Sequence, residues 1–183
     1  MPPLDGKKAK ARGLKYSDRE ELTCERWMTA DVYTVKPLDS VAHARALLEK
    51  HRIRQLPVVK GGALIGIVTD RDLRDAVDAV TSSAKLAGMG EAAPQTGQEI
   101  RVEAVMTENV ITLNRDSSLV TAAEIMRRER IGSLPIVDGR TLVGIITRSD
   151  ILKAFVAREN NKRAHATRPI APKAESRRTE GGR

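Results

Sequence analysis

The stretch GIVTDRDL, residues 66–73, decides the reading of this chain because it is written a second time as GIITRSDI at residues 144–151. In each copy a short apolar run ends on a threonine, and an aspartate follows three positions later. The apolar run suits a buried strand. The T-x-x-D step suits the start of a helix. Outward from this corner the copies stay in register. A shift of 78 residues lays 28–76 onto 106–154 without a gap, and 18 of the 49 pairs are identical. Among them are Met28/Met106, Thr34/Thr112, Pro57/Pro135, Gly66/Gly144, Thr69/Thr147 and Asp72/Asp150. The chain is one supersecondary unit used twice.

Each copy reads β-α-β-β-α. DVYTVK (31–36) and NVITLN (109–114) are rich in β-branched residues and predict short strands. DSVAHARALLEKHRI (39–53) places Val41, Ala44, Leu47 and Leu48 at helical spacing, with Asp39 or Ser40 as N-cap. DSSLVTAAEIMRRERI (116–131) repeats that face with Leu119, Ala122, Ile125 and Met126. LPVV (56–59) and LPIV (134–137) are apolar strands, and KGG (60–62) and DGR (138–140) carry the glycine of a tight hairpin. ALIGIVT (63–69) and TLVGIIT (141–147) are the buried third strands. The last helices are expected to begin near Asp72 and Asp150. They should bury Leu73, Ala76 and Val77 in one copy, and Ile151, Phe155 and Val156 in the other. SSAKLAGMGEAAPQTGQE (82–99) between the copies has the composition of a loop. A single copy would leave one face of a small sheet bare, so the two are expected to share a sheet-to-sheet core.

The 183 residues are 40% hydrophobic, enough for a core of ordinary size, but only 2% aromatic, so that core is aliphatic. No apolar run approaches the roughly 20 residues that span a bilayer. The start, MPPLDGKKAKARG, has no apolar stretch behind its basic residues and does not read as a secretory signal. Cys24 has no second cysteine to pair with, and no Cys/His cluster has metal-ligand spacing. A reducing, cytoplasmic location is expected. The net charge of +8 sits in the ends: residues 157–183 carry eight basic and three acidic side chains and residues 1–26 seven and five, leaving about +1 for 27–156. NKRAHATRPIAPKAESRRTEGGR (161–183) cannot bury enough apolar surface to order itself. Such ends can touch nucleic acid or an acidic partner through charge; a solubilising terminus is the simpler use.

The order strand–helix–LPVV–turn–GIVTDRD–helix, twice over, resembles a tandem pair of CBS (cystathionine β-synthase) domains, the Bateman module. The resemblance covers about residues 24–157. It rests on the paired MT openings at 28–29 and 106–107, the LPVV and LPIV strands, and the doubled G-h-h-T-x-x-D signature. It implies an α+β fold of two tandem β-α-β-β-α CBS repeats packed by pseudo-twofold symmetry. The expected division is a basic flexible N-terminal segment 1–23, repeat 1 over 24–80, a linker 81–100, repeat 2 over 101–157 and a basic flexible tail 158–183. The resemblance also implies a homodimer formed through helical faces. Trp27 departs from the aliphatic residue usual before MT in the family; Val105 holds that place in the second copy. It is expected to anchor a core or an interface.

The signature residues are the parts of a nucleotide site. A helix N-terminus exposes unpaired N–H groups and partial positive charge, which attract phosphate, and the hydroxyl of Thr69 or Thr147 adds a hydrogen bond. Asp72 or Asp150, one turn further in, can accept from both hydroxyls of a ribose. The same T-x-x-D is also close to a capping box, in which threonine caps and the acid reaches back, worth about 1 kcal/mol with no ligand. The resemblance implies ligand contact: Asp72 and Asp150 on ribose, Thr69, Thr147, Arg54 and Arg148 on phosphate. Thr34, Thr112, Pro57, Val58, Pro135 and Ile136 would then be walls around a base.

The copies are not equivalent. Gly132 stands where Arg54 does, and Asp70 is acidic where Arg148 is basic; Arg52 and Arg130 match, as helix C-terminal cations. Two unequal clefts are expected. The ligand implied is an adenine-containing small molecule such as AMP, ATP, S-adenosylmethionine or a dinucleotide. It would be regulatory rather than a catalytic cofactor, with the output passed to a separate protein target. No enzyme is read: His43, His51 and His165 are scattered, and there is no G-x-x-x-x-G-K-[ST] loop. Two alternatives use the same chain differently. One is a ligand-free scaffold that keeps Thr and Asp as caps. The other is a nucleic-acid binder acting through the basic ends, with no aromatic platform on which to stack bases.

Overall fold

A computed structural model describes residues 22–86 and 97–166. The basic ends 1–21 and 167–183 and the linker centre 87–96, with the contacts expected of them, lie outside the described residues. The chain runs through α1 (Cys24–Trp27), α2 (Val41–His51), β1 (Gln55–Lys60), β2 (Ala63–Thr69) and α3 (Asp70–Leu86). After a 3-10 turn at Val102–Ala104 follow α4 (Leu119–Arg128), β3 (Ser133–Asp138), β4 (Thr141–Thr147) and α5 (Arg148–Ala166). Ser40 and Ser118, a matched pair, cap α2 and α4: their hydroxyls accept from His43 N at 3.1 Å and Thr121 N at 3.0 Å. Capping of this kind stabilises a helix by about 1 kcal/mol.

Several expectations are corrected. The strands over 31–36 and 109–114 shrink to one parallel bridge each, Val35 to Val58 and Leu113 to Ile136. The ladders stop because side chains claim the next N–H: Lys36 N donates to Asp39 Oδ2 at 2.7 Å, and Asn114 N to Ser117 Oγ at 3.1 Å. The last helices start at Asp70 and Arg148, two residues early, and run to Leu86 and Ala166. Residues 82–86 and 158–166 are therefore helical rather than loop or frayed tail. Phe155 and Val156 are 60% and 55% exposed, whereas Ala154 is buried. Asp150 and Ala154, one helical turn apart, define the inner face of α5, and Phe155 and Val156 lie one and two steps of about 100° beyond it.

The two hairpins form one four-stranded sheet in the order β1-β2-β4-β3, joined in the middle by the single pair Ala63–Thr141. The copies also exchange their openings. Thr29 swaps both backbone hydrogen bonds with Ile145 of the other copy, and Thr107 does the same with Ile67, at 2.9–3.0 Å. Met28 and Met106 thereby lie across Gly144 and Gly66. A Cβ on Gly66 would stand 2.6 Å from Met106 Sδ and 3.2 Å from the Thr107 carbonyl oxygen. The repeated glycine is there because a neighbouring chain crosses against its backbone.

Buried side chains fall into two clusters instead of the one shared core expected. Val35, Val41, Leu48, Leu56, Val58, Val68 and Leu73 pack with Val102, Val105 and Met106 from the second opening. Leu119, Met126, Leu134, Ile136 and Ile146 pack with Cys24, Trp27 and Met28 from the first. Trp27 is thus an anchor, in the core of the opposite repeat.

Candidate functional site

The two strand-to-helix corners are closed capping boxes. Thr69 N and Thr69 Oγ1 both donate to Asp72 Oδ2, at 2.8 and 2.7 Å, and Asp72 N donates back to Thr69 Oγ1 at 3.3 Å. Thr147 and Asp150 repeat this at 3.0, 2.6 and 3.4 Å. Thr69 and Thr147 are the N-caps, and the aspartates sit at the third helical position, where a capping box places its acid. Asp72 is half-buried and Asp150 is 6% exposed.

The corner at Asp72 faces a cleft of about 330 Å³ between the repeats, at the lower end of the range for small-molecule pockets. Gln55, Ile67, Thr69 and Asp72 line it from the first repeat. Thr107, Asn109, Val110, Ile111, Arg130, Ile131, Gly132, Ser133 and Pro135 line it from the second. Strand alternation explains which residues arrive there. Ile67 and Thr69 share one face of β2, while Val68 points into the first core. Pro135 faces the cleft, while Leu134 and Ile136 enter the second core.

This alternation corrects part of the expected base wall. Pro57, Val58 and Ile136 are fully buried and line no opening. Thr34 is exposed and Thr112 half-buried; the cleft wall at that level is Val110 and Ile111 instead. The site therefore brings Thr69, Asp72 and Pro135 together, as expected, and adds Arg130, Asn109, Val110 and Ile111, which the sequence reading missed. Their signals were position, shortly after the second MT or before Gly132, and for Val110 and Arg130 the repeat of Val32 and Arg52. Arg130 has a left-handed backbone, φ 57°, as does its match Arg52 at 53°. A non-glycine residue there is strained by about 1–2 kcal/mol.

Carried back by 78 residues, the positions of that lining fall on Tyr33, Arg52, Arg54 and Pro57, to be set beside Thr147 and Asp150; of these Pro57 is fully buried, whereas its match lines the open cleft. By that correspondence Arg54, whose side chain is exposed, belongs with the Asp150 corner and not with Asp72. Its carbonyl accepts Asp70 N at 2.9 Å, as that of Gly132 accepts Arg148 N at 3.1 Å. Arg148 is exposed, and Asp70 pairs with Arg74 at 2.9 Å. Tyr33 takes the place of Ile111, and its ring stacks on His51 with centroids 3.7 Å apart. The non-equivalence read from Arg54/Gly132 extends to Tyr33/Ile111.

Cys24 is buried, and burial, with Asp116 adding to it, pushes its thiol up to about 11. It is not a nucleophile at neutral pH. Among the described residues no group of His, Cys, Asp and Glu could hold a metal ion, and no helix is long and apolar enough to cross a membrane.

The family model for the CBS domain matches residues 23–79 and 102–157. Protein MJ1404 of Methanocaldococcus jannaschii is 34% identical over 145 residues, covering 78% of this chain and 34% of the relative. CBS domain-containing protein YhcV of Bacillus subtilis is 34% identical over 124 residues, 68% of this chain and 79% of YhcV. An inosine-5'-monophosphate dehydrogenase of Korarchaeum cryptofilum is 31% identical over 153 residues, 81% of this chain and 28% of the enzyme. The chain thus spans about a third or less of two of these relatives and most of the third. Among solved structures, CBSX2 in complex with AMP is similar with a TM-score of 0.61 at 28% identity, covering 75% of this chain and 98% of that one. The CBS domain pair of MJ0100, in complex with 5'-methylthioadenosine and S-adenosyl-L-methionine, gives 0.58 at 28% identity, covering 74% and 97%.

Proposed function

The chain belongs to the CBS domain family, and from that premise we propose that it is a regulatory module that binds an adenosyl ligand between its repeats and reports occupancy to a partner protein. One observation carries this reading. The cleft at Asp72 is open, and it sets a helix N-terminus, a threonine hydroxyl and a carboxylate from one repeat against apolar walls and Arg130 from the other. Asp72 is assigned to the ribose hydroxyls, Thr69 and Arg130 to phosphate, and Ile67, Val110, Ile111 and Pro135 to the base. Thr147, Asp150, Arg54 and Arg148 are assigned the matching roles in the second cleft. That CBSX2 holds AMP, and the MJ0100 pair S-adenosyl-L-methionine and 5'-methylthioadenosine, supports the ligand class. A ligand touching both repeats shifts their packing only by the difference in its affinity for the two arrangements.

The partner proposed first is a second copy, meeting through the helical face where Leu152, Phe155 and Val156 are exposed. The basic ends are assigned no role. A second reading, the scaffold, is favoured by the closed capping boxes, which give Thr and Asp work without a ligand. Thermal unfolding with AMP, ATP and S-adenosylmethionine separates the two. Ligand at 100 times its dissociation constant adds about 2.7 kcal/mol of stability. A panel that leaves the melting temperature unchanged refutes the sensor and leaves the scaffold.

A further inference from the structure

Asp72 and Asp150 hold the same place in the two copies, yet they do not have the same oxygens to offer. In both, Oδ2 is taken by two donors of the capping threonine. A ribose diol must then rely on Oδ1. In the second copy that atom is already engaged, because Lys153 Nζ donates to Asp150 Oδ1 at 3.0 Å. The aspartate side chain of this pair is 9% exposed and the lysine side chain 70% exposed. In the first copy the residue at the place of Lys153 is Asp75, which faces Arg71 at 3.5 Å. Arg74, the other cation on the first turns of α3, is held by Asp70. Asp72 Oδ1 has no partner among the described residues.

We propose that Lys153 decides which cleft takes a ribose: it occupies the acceptor oxygen of Asp150, so the Asp72 cleft is the receptive one. This rests on the reading of the clefts as nucleotide sites and adds their ranking. Hydroxyl and ammonium donors to a carboxylate are both charge-assisted, so the difference lies in free acceptor sites, of which a carboxylate has about four. At Asp150, Thr147 fills Oδ2 and Lys153 takes part of Oδ1, which leaves too little for both hydroxyls of a diol. The Asp72 cleft has no such competitor. Arg130 lines it from across the gap, where it can meet a phosphate. Sequence position alone favours the opposite ranking, since Arg54 and Arg148 both belong to the second cleft. The latch reverses it.

The test is calorimetric titration of the full chain with AMP. Wild type is expected to take up one AMP per chain. Asp72→Asn, which keeps a capping acceptor but loses the charge, weakens that site by roughly 10- to 100-fold, and Asp150→Asn weakens it far less. Lys153→Met, at a largely exposed position, raises the uptake to two per chain, and the added site disappears in Lys153→Met/Asp150→Asn. Circular dichroism of each variant checks folding, and the Lys153→Met series stands even if Asp72→Asn does not fold. Wild-type binding that is lost with Asp150→Asn, or a Lys153→Met chain that still takes up one AMP, overturns the ranking and leaves the nucleotide reading intact. Absence of AMP binding in both wild type and Lys153→Met overturns the nucleotide reading, and the ranking with it.

Discussion

Removing the aspartate carboxylates separates their two roles, because one of them needs no ligand. Asp72→Ala strips Thr69 N and Oγ1 of a shared acceptor at 2.8 and 2.7 Å. A lost cap costs roughly 0.5–2 kcal/mol, and a buried donor left unsatisfied about 1–3 kcal/mol. Because Asp72 is half-buried, water recovers part of the loss, and about 1–2 kcal/mol is expected. Asp150 is 6% exposed, so Asp150→Ala falls higher, at about 2–3 kcal/mol. The pair with the exposed Lys153 adds little. For a fold of this size each kcal/mol moves the midpoint by about 3–5 °C. The alanine variants should therefore melt about 5 and 10 °C below wild type. Both asparagine variants keep an acceptor oxygen and should lose less than about 1 kcal/mol. The assay is urea unfolding of the ligand-free chain, followed by far-UV circular dichroism. Alanine variants within about 0.3 kcal/mol of wild type, or asparagine variants as weak as alanine, would refute the capping account. Any ligand-induced shift in these variants has to be measured from each variant's own ligand-free midpoint.

Other outcomes are equally specific. Gly66→Ala should cost about 1–3 kcal/mol by overpacking against Met106 and the Thr107 carbonyl, and adding Met106→Ala should recover part of it; additive losses in urea unfolding contradict the crossing geometry. The Cys24 thiol, raised to about 11 from 9.0, contributes stability that is complete below pH 9 and lost as pH climbs towards 11. Wild type should lose about 2–3 kcal/mol more than Cys24→Ala over that interval; parallel pH–stability curves for the two would disprove it. Phe155→Glu should convert dimers to monomers in sedimentation velocity while leaving the melting temperature of the monomer unchanged, and a wild type that is monomeric at 100 times the assay concentration of about 1 μM rules out that face.

The duplication and the hairpins could be read from residue order, and the cap of the first long helix narrowed to Asp39 or Ser40, because each depends on local chemistry: Gly139 in a turn, Ser40 before an apolar helical face, alternation through LPVV. The last helices start two residues before Asp72 and Asp150 because Thr69 and Thr147 are the caps, as the capping-box reading of T-x-x-D allows. The short strands at 31–36 and 109–114 failed for a tertiary reason: Asp39 and Ser117 turn the backbone after one bridge. Of the site, Thr69, Asp72 and Pro135 were legible through the repeat. Val110 and Ile111 were not, since they reach the cleft only because the second opening crosses to the first repeat, and Arg130 was not, since as a cation at a helix end it needs no ligand. Ile136 looks like Pro135 in an apolar string, and strand parity separates them.

The exchange of openings has a further consequence. Residues 107–111 do two jobs at once: Thr107 knots the second half onto Ile67 of the first, and the next few residues form a rim of the opening beside Asp72. A guest seated there leans on the same few peptide groups that interlock the halves. How tightly a guest is held and how firmly the halves grip one another then become a single quantity. Loosening the knot, for instance by trimming Met106, should be felt as weaker retention of a guest that Met106 never touches.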